Sequence, residues 1–268
     1  MVFFPHCKIN LGLQIISKRE DGYHRIETCF YPVPWCDVLE VIKSERFQFT
    51  QSGIGIPGRE EDNLCIKAYQ LLKKDFDLQP INLHLHKVIP TGAGLGGGSS
   101  DAAFTLRALD YIFELKLTDG ALTAYASLLG SDCSFFVGDK PMVGSERGEV
   151  LSETSVSLKG KYLVLVKPDI HISTAEAYAG VIPKQPTQSI KQLMELPIAT
   201  WKEKLKNDFE KSVFKKHPQI EIIKNELYNQ GALYASMSGS GASVFGIFDS
   251  SRGLKYKFSG MEYWAGEL

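Results

Sequence analysis

No long run of one charge sign, no apolar stretch of bilayer length and no Cys-x-x-Cys pair occurs in these 268 residues. With 30 Lys and Arg against 31 Asp and Glu, the formal net charge of −1 leaves no nucleic-acid footprint, so a phosphorylated small molecule would have to be held by local groups. Without 18 or so consecutive apolar residues, a membrane-spanning helix is not expected. The opening Met1 to His6 lacks the basic leader and the apolar run of a secretory signal, which makes the cytoplasm the expected compartment. Five cysteines (Cys7, Cys29, Cys36, Cys65, Cys133), odd in number and scattered, argue against a disulfide framework or a zinc site. They read as reduced thiols filling a core. Internal repeats are absent too. What remains, 44% hydrophobic, 11% aromatic and 23% charged, is the composition of a globular chain long enough for one large or two ordinary domains.

Glycine is where the sequence concentrates. Residues 90–103 read Pro-Thr-Gly-Ala-Gly-Leu-Gly-Gly-Gly-Ser-Ser-Asp-Ala-Ala, between an alternating segment, Ile81 to Ile89, and a helix-like run, Ser99 to Glu114. Strand, glycine loop, helix is the predicted order. Glycine lets backbone N–H groups approach a ligand closely, and the first N–H groups of a helix have no intrahelical partner. With the positive end of the helix dipole added, the result is an anion site suited to phosphate. Ser99 and Ser100 stand at the predicted helix start, where a hydroxyl can cap the helix or reach a phosphate or its metal. A Walker loop is excluded, because no lysine lies between Lys87 and Lys116. Gly92 to Gly97 does satisfy G-x-G-x-x-G, which keeps a dinucleotide-binding βαβ unit open. Against that unit, the preceding strand alternates polar and apolar residues, and Asp110 falls inside the helical pattern instead of at a strand end.

Elsewhere, Cys7 to Ile16 alternates Ile9, Leu11, Leu13 and Ile15 with Lys8, Asn10, Gly12 and Gln14, predicting a strand with Lys8 and Asn10 on a polar face. Asp21-Gly22 signals a hairpin, and Arg25 to Tyr31 returns until Pro32 and Pro34 break it. Asp37 to Thr50 holds further strand candidates. Asp62 or Asn63 can cap a helix with Leu64, Ala68, Leu71, Leu72 and Phe76 on one face. His84 and His86 share a strand face at a spacing that can suit a metal, but with no third ligand in view the plain reading is exposed strand residues. Thr118 to Leu129 reads as a second helix ended by Gly130, and Asp132 follows as a turn or cap residue. Tyr162 to Val166 is an apolar strand and Ser173 caps a short helix. Trp201 to Lys215 and Ile220 to Asn229 are predicted helices. A second glycine cluster, Ser236 to Ser243, leads into the strand Val244 to Phe248. It is either a turn before a strand or a second loop offering N–H groups to a phosphate chain. The tail from Lys255 carries no signal.

Pro-x3-Gly-Leu-Gly-Gly-Gly-Ser-Ser-x-Ala-Ala resembles the phosphate loop of the GHMP kinases, named for galactose, homoserine, mevalonate and phosphomevalonate. Its triple glycine and paired serines are most similar to the branch that phosphorylates 4-diphosphocytidyl-2-C-methyl-D-erythritol in the non-mevalonate route to isoprenoids. Residues 5–13 resemble the motif that carries the family's catalytic lysine, matched by Lys8 with Asn10 beside it. Residues 129–137 are similar to the segment of the catalytic aspartate, matched by Asp132. Ser236 to Ser243 resembles the third motif, with Ser238, Gly239, Ser240 and Gly241 as its loop. Asp21-Gly-Tyr-His24 resembles the branch-specific grip on cytosine, in which Tyr23 offers an aromatic face and His24 hydrogen bonds to the base edge. Thr174 and Tyr178 resemble a further substrate-side segment, Thr174 a polar contact and Tyr178 a second stacking wall. By the same resemblance Asn63 lies near the nucleotide base, and Pro90, Gly92, Gly94, Leu95, Gly96, Gly97, Gly98, Ser99 and Ser100 bind ATP. Two departures, Cys7 for a common alanine and Ser134 for a common proline, bear on the fine geometry near Asp132.

The resemblance implies an α+β, two-domain GHMP kinase fold with domains 1–158 and 159–268 and the active site in the interdomain cleft. It implies ATP as co-substrate with Mg²⁺, and a small-molecule cytidine diphosphate-linked acceptor as partner, without nucleic acid or membrane. Moving a γ-phosphoryl group to an alcohol needs positioning, charge stabilisation and a proton acceptor. Asp132 is the expected base and Lys8 its electrostatic partner. The competing readings are a GHMP kinase for another small alcohol, a dinucleotide oxidoreductase and a non-catalytic nucleotide-binding module.

Overall fold

In the computed structural model, which describes residues 1–268, the chain opens with strands β1 (Val2–Phe3), β2 (His6–Lys18), β3 (His24–Cys36), β4 (Val38–Lys43) and β5 (Gln48–Gly53). Helix α1 (Leu64–Asp75) and strand β6 (Ile81–Lys87) come before helices α2 (Gly97–Phe113) and α3 (Asp119–Leu129). Strands β7 (Met142–Glu146), β8 (Val150–Glu153) and β9 (Tyr162–Lys167) lead to short helices α4 (Thr174–Ala179), α5 (Ile190–Met194), α6 (Trp201–Lys204) and α7 (Glu210–Lys216). Helix α8 (Pro218–Asn229) and strands β10 (Tyr234–Met237), β11 (Val244–Phe248) and β12 (Glu262–Glu267) close it. No helix is long and apolar enough to cross a membrane.

These elements form two compact units interleaved along the chain, where the sequence suggested a single cut at 158/159. One comprises residues 1–7, 35–91 and 96–140, the other 8–34, 92–95 and 141–268. The physical reason is contact at long range: β3 is joined to β7 over Ile26–Phe30, more than a hundred residues on, and β2 bonds residues 206–208 at Leu13 and Ile15 and shares a core with β9 and β11. Such pairing is set by the sheet and not by proximity in sequence.

In the first unit the sheet runs β1-β4-β6-β5, antiparallel except for the parallel β5–β6 pair. Strand β6 turns Ile81, Leu83 and Leu85 into a core shared with Leu39, Val41, Leu72, Leu106 and Leu109. Its other face carries His84 and His86. There Thr50 Oγ1 meets His84 Nδ1 at 2.7 Å, and Ser52 Oγ meets His84 Nε2 and His86 Nδ1, both at 2.9 Å. The histidines thus belong to a cross-strand hydroxyl ladder, and no group of three His, Cys, Asp or Glu side chains gathers as a metal site. Asn63 caps α1, its side-chain oxygen accepting from Cys65 N at 2.9 Å, and Thr118 caps α3.

The second unit holds two four-stranded sheets, β2-β3-β7-β8 and β10-β11-β9-β12. Its core joins Leu13 and Ile15 to Val164, Val166, Ile223, Leu227, Val244 and Phe248. Two expectations are corrected here, and the stretch that carried no signal gains a strand. Strand β3 passes through Pro32 and Pro34 instead of breaking, because its ladder with β7 ends at Phe30 and asks nothing of the missing N–H groups beyond it. The tail forms β12, paired with β9 along its whole length. The predicted helix Trp201 to Lys215 is two helices, α6 and α7, separated by residues 205–209, which leave helical geometry to bond β2 at Leu13 and Ile15.

Candidate active site

Lys8 and Asn10 stand two residues apart on one side of β2. That shared polar face is not a solvated one: the two are only 3% and 2% exposed. A buried ammonium needs acceptors. Lys8 Nζ donates to Asn10 Oδ1 at 2.6 Å and to the Gly94 carbonyl at 3.1 Å, and it lies 5.4 Å from the Phe30 ring centre. Asn10 Nδ2 donates onward to Thr28 Oγ1 at 2.9 Å, and that hydroxyl donates to the Gly12 carbonyl. The chain of donors fixes the Asn10 amide with its oxygen toward the lysine.

The two glycine segments meet at the same place. Lys8 N donates to Leu95 O at 3.0 Å and Ser243 N to Ala93 O at 3.2 Å. Ser238 Oγ donates to Gly94 O at 2.8 Å while accepting from Asn10 N at 3.3 Å. Only glycine fits at 94: φ is +75°, and a Cβ would stand 2.1 Å from the Ser238 carbonyl oxygen. Gly239 packs back against Gly94, Ser240 is half-buried and Gly241 buried. Ser236 to Ser243 forms the turn between the antiparallel strands β10 and β11, as the first reading of that segment expected, and it also packs on the first glycine loop. Pro90 is buried ahead of that loop and Gly92 is exposed.

Helix α2 begins inside the glycines, two residues before the expected start. Gly96, at φ +69°, is its N-cap, Gly97 and Gly98 open the first turn, and no side chain caps it. Ser99 and Ser100 are therefore first-turn residues and not caps, because the left-handed Gly96 already reverses the chain. Ser100 Oγ is buried without a hydrogen-bond partner. Asp132 occupies the N-cap position of a short 3₁₀ turn, Cys133–Val137, but its side chain makes no capping bond. Its carboxylate is not used as a cap. Burial pushes the neighbouring Cys133 thiol up to about 11 in spite of a hydrogen bond from the Ser99 side chain, so this thiol stays protonated.

Beneath the first turn of α2 lies a charged cluster that sequence reasoning missed. Lys87 Nζ is 2.5 Å from Asp37 Oδ2 and 2.8 Å from Asp101 Oδ2, with all three side chains nearly sealed from solvent. Asp37 Oδ1 also accepts from Val88 N at 2.6 Å and Ile89 N at 2.8 Å. Burial raises Asp101 to about 7; Lys87 opposes the rise and Asp37 adds to it. Burial works against the Lys87 charge, but the two carboxylates outweigh it and its pKa is raised. The cluster clamps the end of β6 to the start of α2, and a Cβ at Gly97 would reach Lys87 Nζ at 3.1 Å. Lys87 closes an alternating strand, a signal that marks a position but not two partners 50 and 14 residues away.

At the other candidate region His24 stacks on Tyr178, ring centres 4.6 Å apart and planes 17° from parallel. The sequence reading made Tyr23 and Tyr178 the two walls. Tyr23 itself is 56% exposed, with the Arg147 guanidinium 5.1 Å from its ring centre. Adjacent residues entering a strand point to opposite sides, which is why His24 and not Tyr23 meets Tyr178. Burial first, then the charge of Lys18, holds His24 below its usual pKa. It is neutral at pH 7, with one ring nitrogen to donate and one to accept. Thr174 is exposed at the first position of α4, whose N-cap Ser173 accepts from Glu176 N.

Two family models match the chain, GHMP kinases N terminal domain over residues 63–139 and GHMP kinases C terminal over residues 185–255. A protein of Cytophaga hutchinsonii named 4-diphosphocytidyl-2-C-methyl-D-erythritol kinase is 51% identical over 251 residues, 93% of each chain. One of the same name from Parabacteroides distasonis is 49% identical over 270 residues, 100% of each. Among solved structures, a 4-(cytidine 5'-diphospho)-2C-methyl-D-erythritol kinase superposes with a TM-score of 0.85 at 29% identity, covering 99% of this chain and 98% of its own.

Proposed function

The chain belongs to the GHMP kinase family, and from that premise we propose that it transfers the γ-phosphoryl group of ATP to the 2-hydroxyl of 4-diphosphocytidyl-2-C-methyl-D-erythritol. One observation carries the reading furthest: a buried lysine whose ammonium is held by Asn10 and by a carbonyl of the glycine loop itself. In this reaction the acceptor oxygen forms a bond to the γ-phosphorus, the bond to the β,γ-bridging oxygen breaks, and ADP leaves. The hydroxyl proton passes to Asp132, whose carboxylate is not engaged in capping. Lys8, already desolvated, supplies positive charge to the alkoxide as it develops. The uncapped glycine start of α2 is the cradle for the phosphates, and Asn63 lies toward the base.

Mg²⁺ accompanies the nucleotide. The protein offers no preformed carboxylate cage, which suits an ion that keeps several waters and is bound chiefly through substrate phosphates. The unpartnered Ser100 hydroxyl and the Ser99 hydroxyl are the side-chain groups that would hold the ion, which would supply positive charge beside the phosphates. The acceptor's cytosine is read by neutral His24, with Tyr178 and Tyr23 as aromatic surfaces and Thr174 as a polar contact. A cytoplasmic location accords with this chemistry.

Asp132→Asn tests the assignment. ADP formation should fall to background while calorimetric ATP binding stays near the wild-type value; full turnover in that variant would remove Asp132 from the mechanism.

A further inference from the structure

Trp201 to Lys215 has an unbroken apolar period, yet the chain leaves the helix after Lys204 and resumes it at Glu210. Asn207 sits in the gap, 2% exposed. Both hydrogens of its Nδ2 are donated, one to the carbonyl of Met237 and one to that of Gly239, each at 2.8 Å. Its Oδ1 accepts from Phe209 N at 3.0 Å. The flanking backbone is fixed to β2: Leu13 N donates to Lys206 O and Asp208 N to Leu13 O, both at 2.9 Å, and Asp208 Oδ2 accepts from Ile15 N at 2.8 Å. One turn later Glu210 Oε1 accepts from Met237 N at 2.9 Å and Ser236 Oγ at 3.0 Å, and Oε2 pairs with Lys224 at 2.6 Å.

Met237 and Gly239 flank Ser238, and a single amide holding both carbonyls fixes the Met237–Ser238 peptide plane just before that serine and the Gly239–Ser240 plane one residue beyond it. The Ser238 hydroxyl is thereby aimed at the Gly94 carbonyl, which also accepts from Lys8. We infer that Asn207 is a positioning residue for the second glycine loop, setting Ser238 and through it the Gly94 carbonyl that anchors Lys8. This inference rests on the kinase reading for what the loop serves, while the clamp itself rests on geometry alone. Leaving the fold's helical path is its structural requirement, since a continuous helix would not thread residues 206–208 along β2.

The test uses Asn207→Asp, which keeps size and the Oδ1 acceptor for Phe209 but removes both donations, and Asn207→Ala as a second variant without charge. The Gly239 carbonyl then loses its Asn207 donor, and the Met237 carbonyl keeps only the longer 3.3 Å approach of Ser236 Oγ. We expect kcat to fall on the order of tenfold to a hundredfold as the loop loses its setting, with the KM of the cytidyl acceptor within about threefold of wild type. Hydrogen–deuterium exchange should quicken in residues 236–244 and not in α8. Unchanged exchange in 236–244, or kcat within about twofold of wild type beside a lowered Tm, overturns the inference. A wild type that turns over no acceptor counts instead against the kinase reading, and the exchange comparison then decides the clamp by itself.

Discussion

Lys8 and His24 acquire their chemistry from neighbours close in space. An isolated strand lysine is ordinarily a solvated edge charge. Here Asn10 and Gly94 accept from its ammonium at 2.6 and 3.1 Å, so the charge is kept out of water and aimed. His24 is the reverse case, a base kept neutral by burial and by the charge of Lys18. Its folded pKa lies below the ordinary value, so the uncharged ring is the species present at and above pH 7, and protonation sets in only as the pH falls through that lowered value. The KM for the cytidyl acceptor should accordingly be flat from pH 7 to 9 and rise on acidification. His24→Ala should raise that KM about tenfold to a hundredfold, the worth of a hydrogen bond plus a stacking contact, and leave the KM for ATP near wild type. Initial rates across pH for both substrates check this; equal KM values in the two proteins would take the base edge away from His24.

At the scale of elements, the glycine loop is half of a paired structure. Gly94 lies so close to the Ser238 carbonyl that a methyl group has no space, and its positive φ adds strain to any other residue. Gly94→Ala should therefore push the two loops apart, lowering kcat by about a hundredfold or more and Tm by several degrees, as measured by turnover and calorimetry. Near-normal kcat would show that the contact is incidental. Much of this level was legible in the sequence. The alternation of β2 and β6, the caps at Asn63 and Ser173, and the strand-loop-helix order around residues 90–103 are local signals with local causes. The helix break at Asn207 was not, because the bonds that compensate it run to residues 30 and more positions away. For the same reason the Lys87 cluster was invisible: a lysine at a strand end has no pattern that announces Asp37 and Asp101.

Over the whole molecule, the α+β fold with its three motifs in family order was readable because each motif carries its own glycine or charge signature. The interleaving of the two units was not, since it follows from β3 finding β7 across the sequence. The family membership and the relatives at about half identity over nearly the full chain agree with an ATP-dependent kinase of the 4-diphosphocytidyl-2-C-methyl-D-erythritol branch. The most direct test is ADP formation by the purified protein with ATP and Mg²⁺, comparing 4-diphosphocytidyl-2-C-methyl-D-erythritol with homoserine, mevalonate and galactose under identical conditions. Turnover confined to the cytidyl acceptor, with phosphate found on its 2-hydroxyl, is the predicted result. Faster turnover of one of the other alcohols, or none with any of the four, would contradict the account.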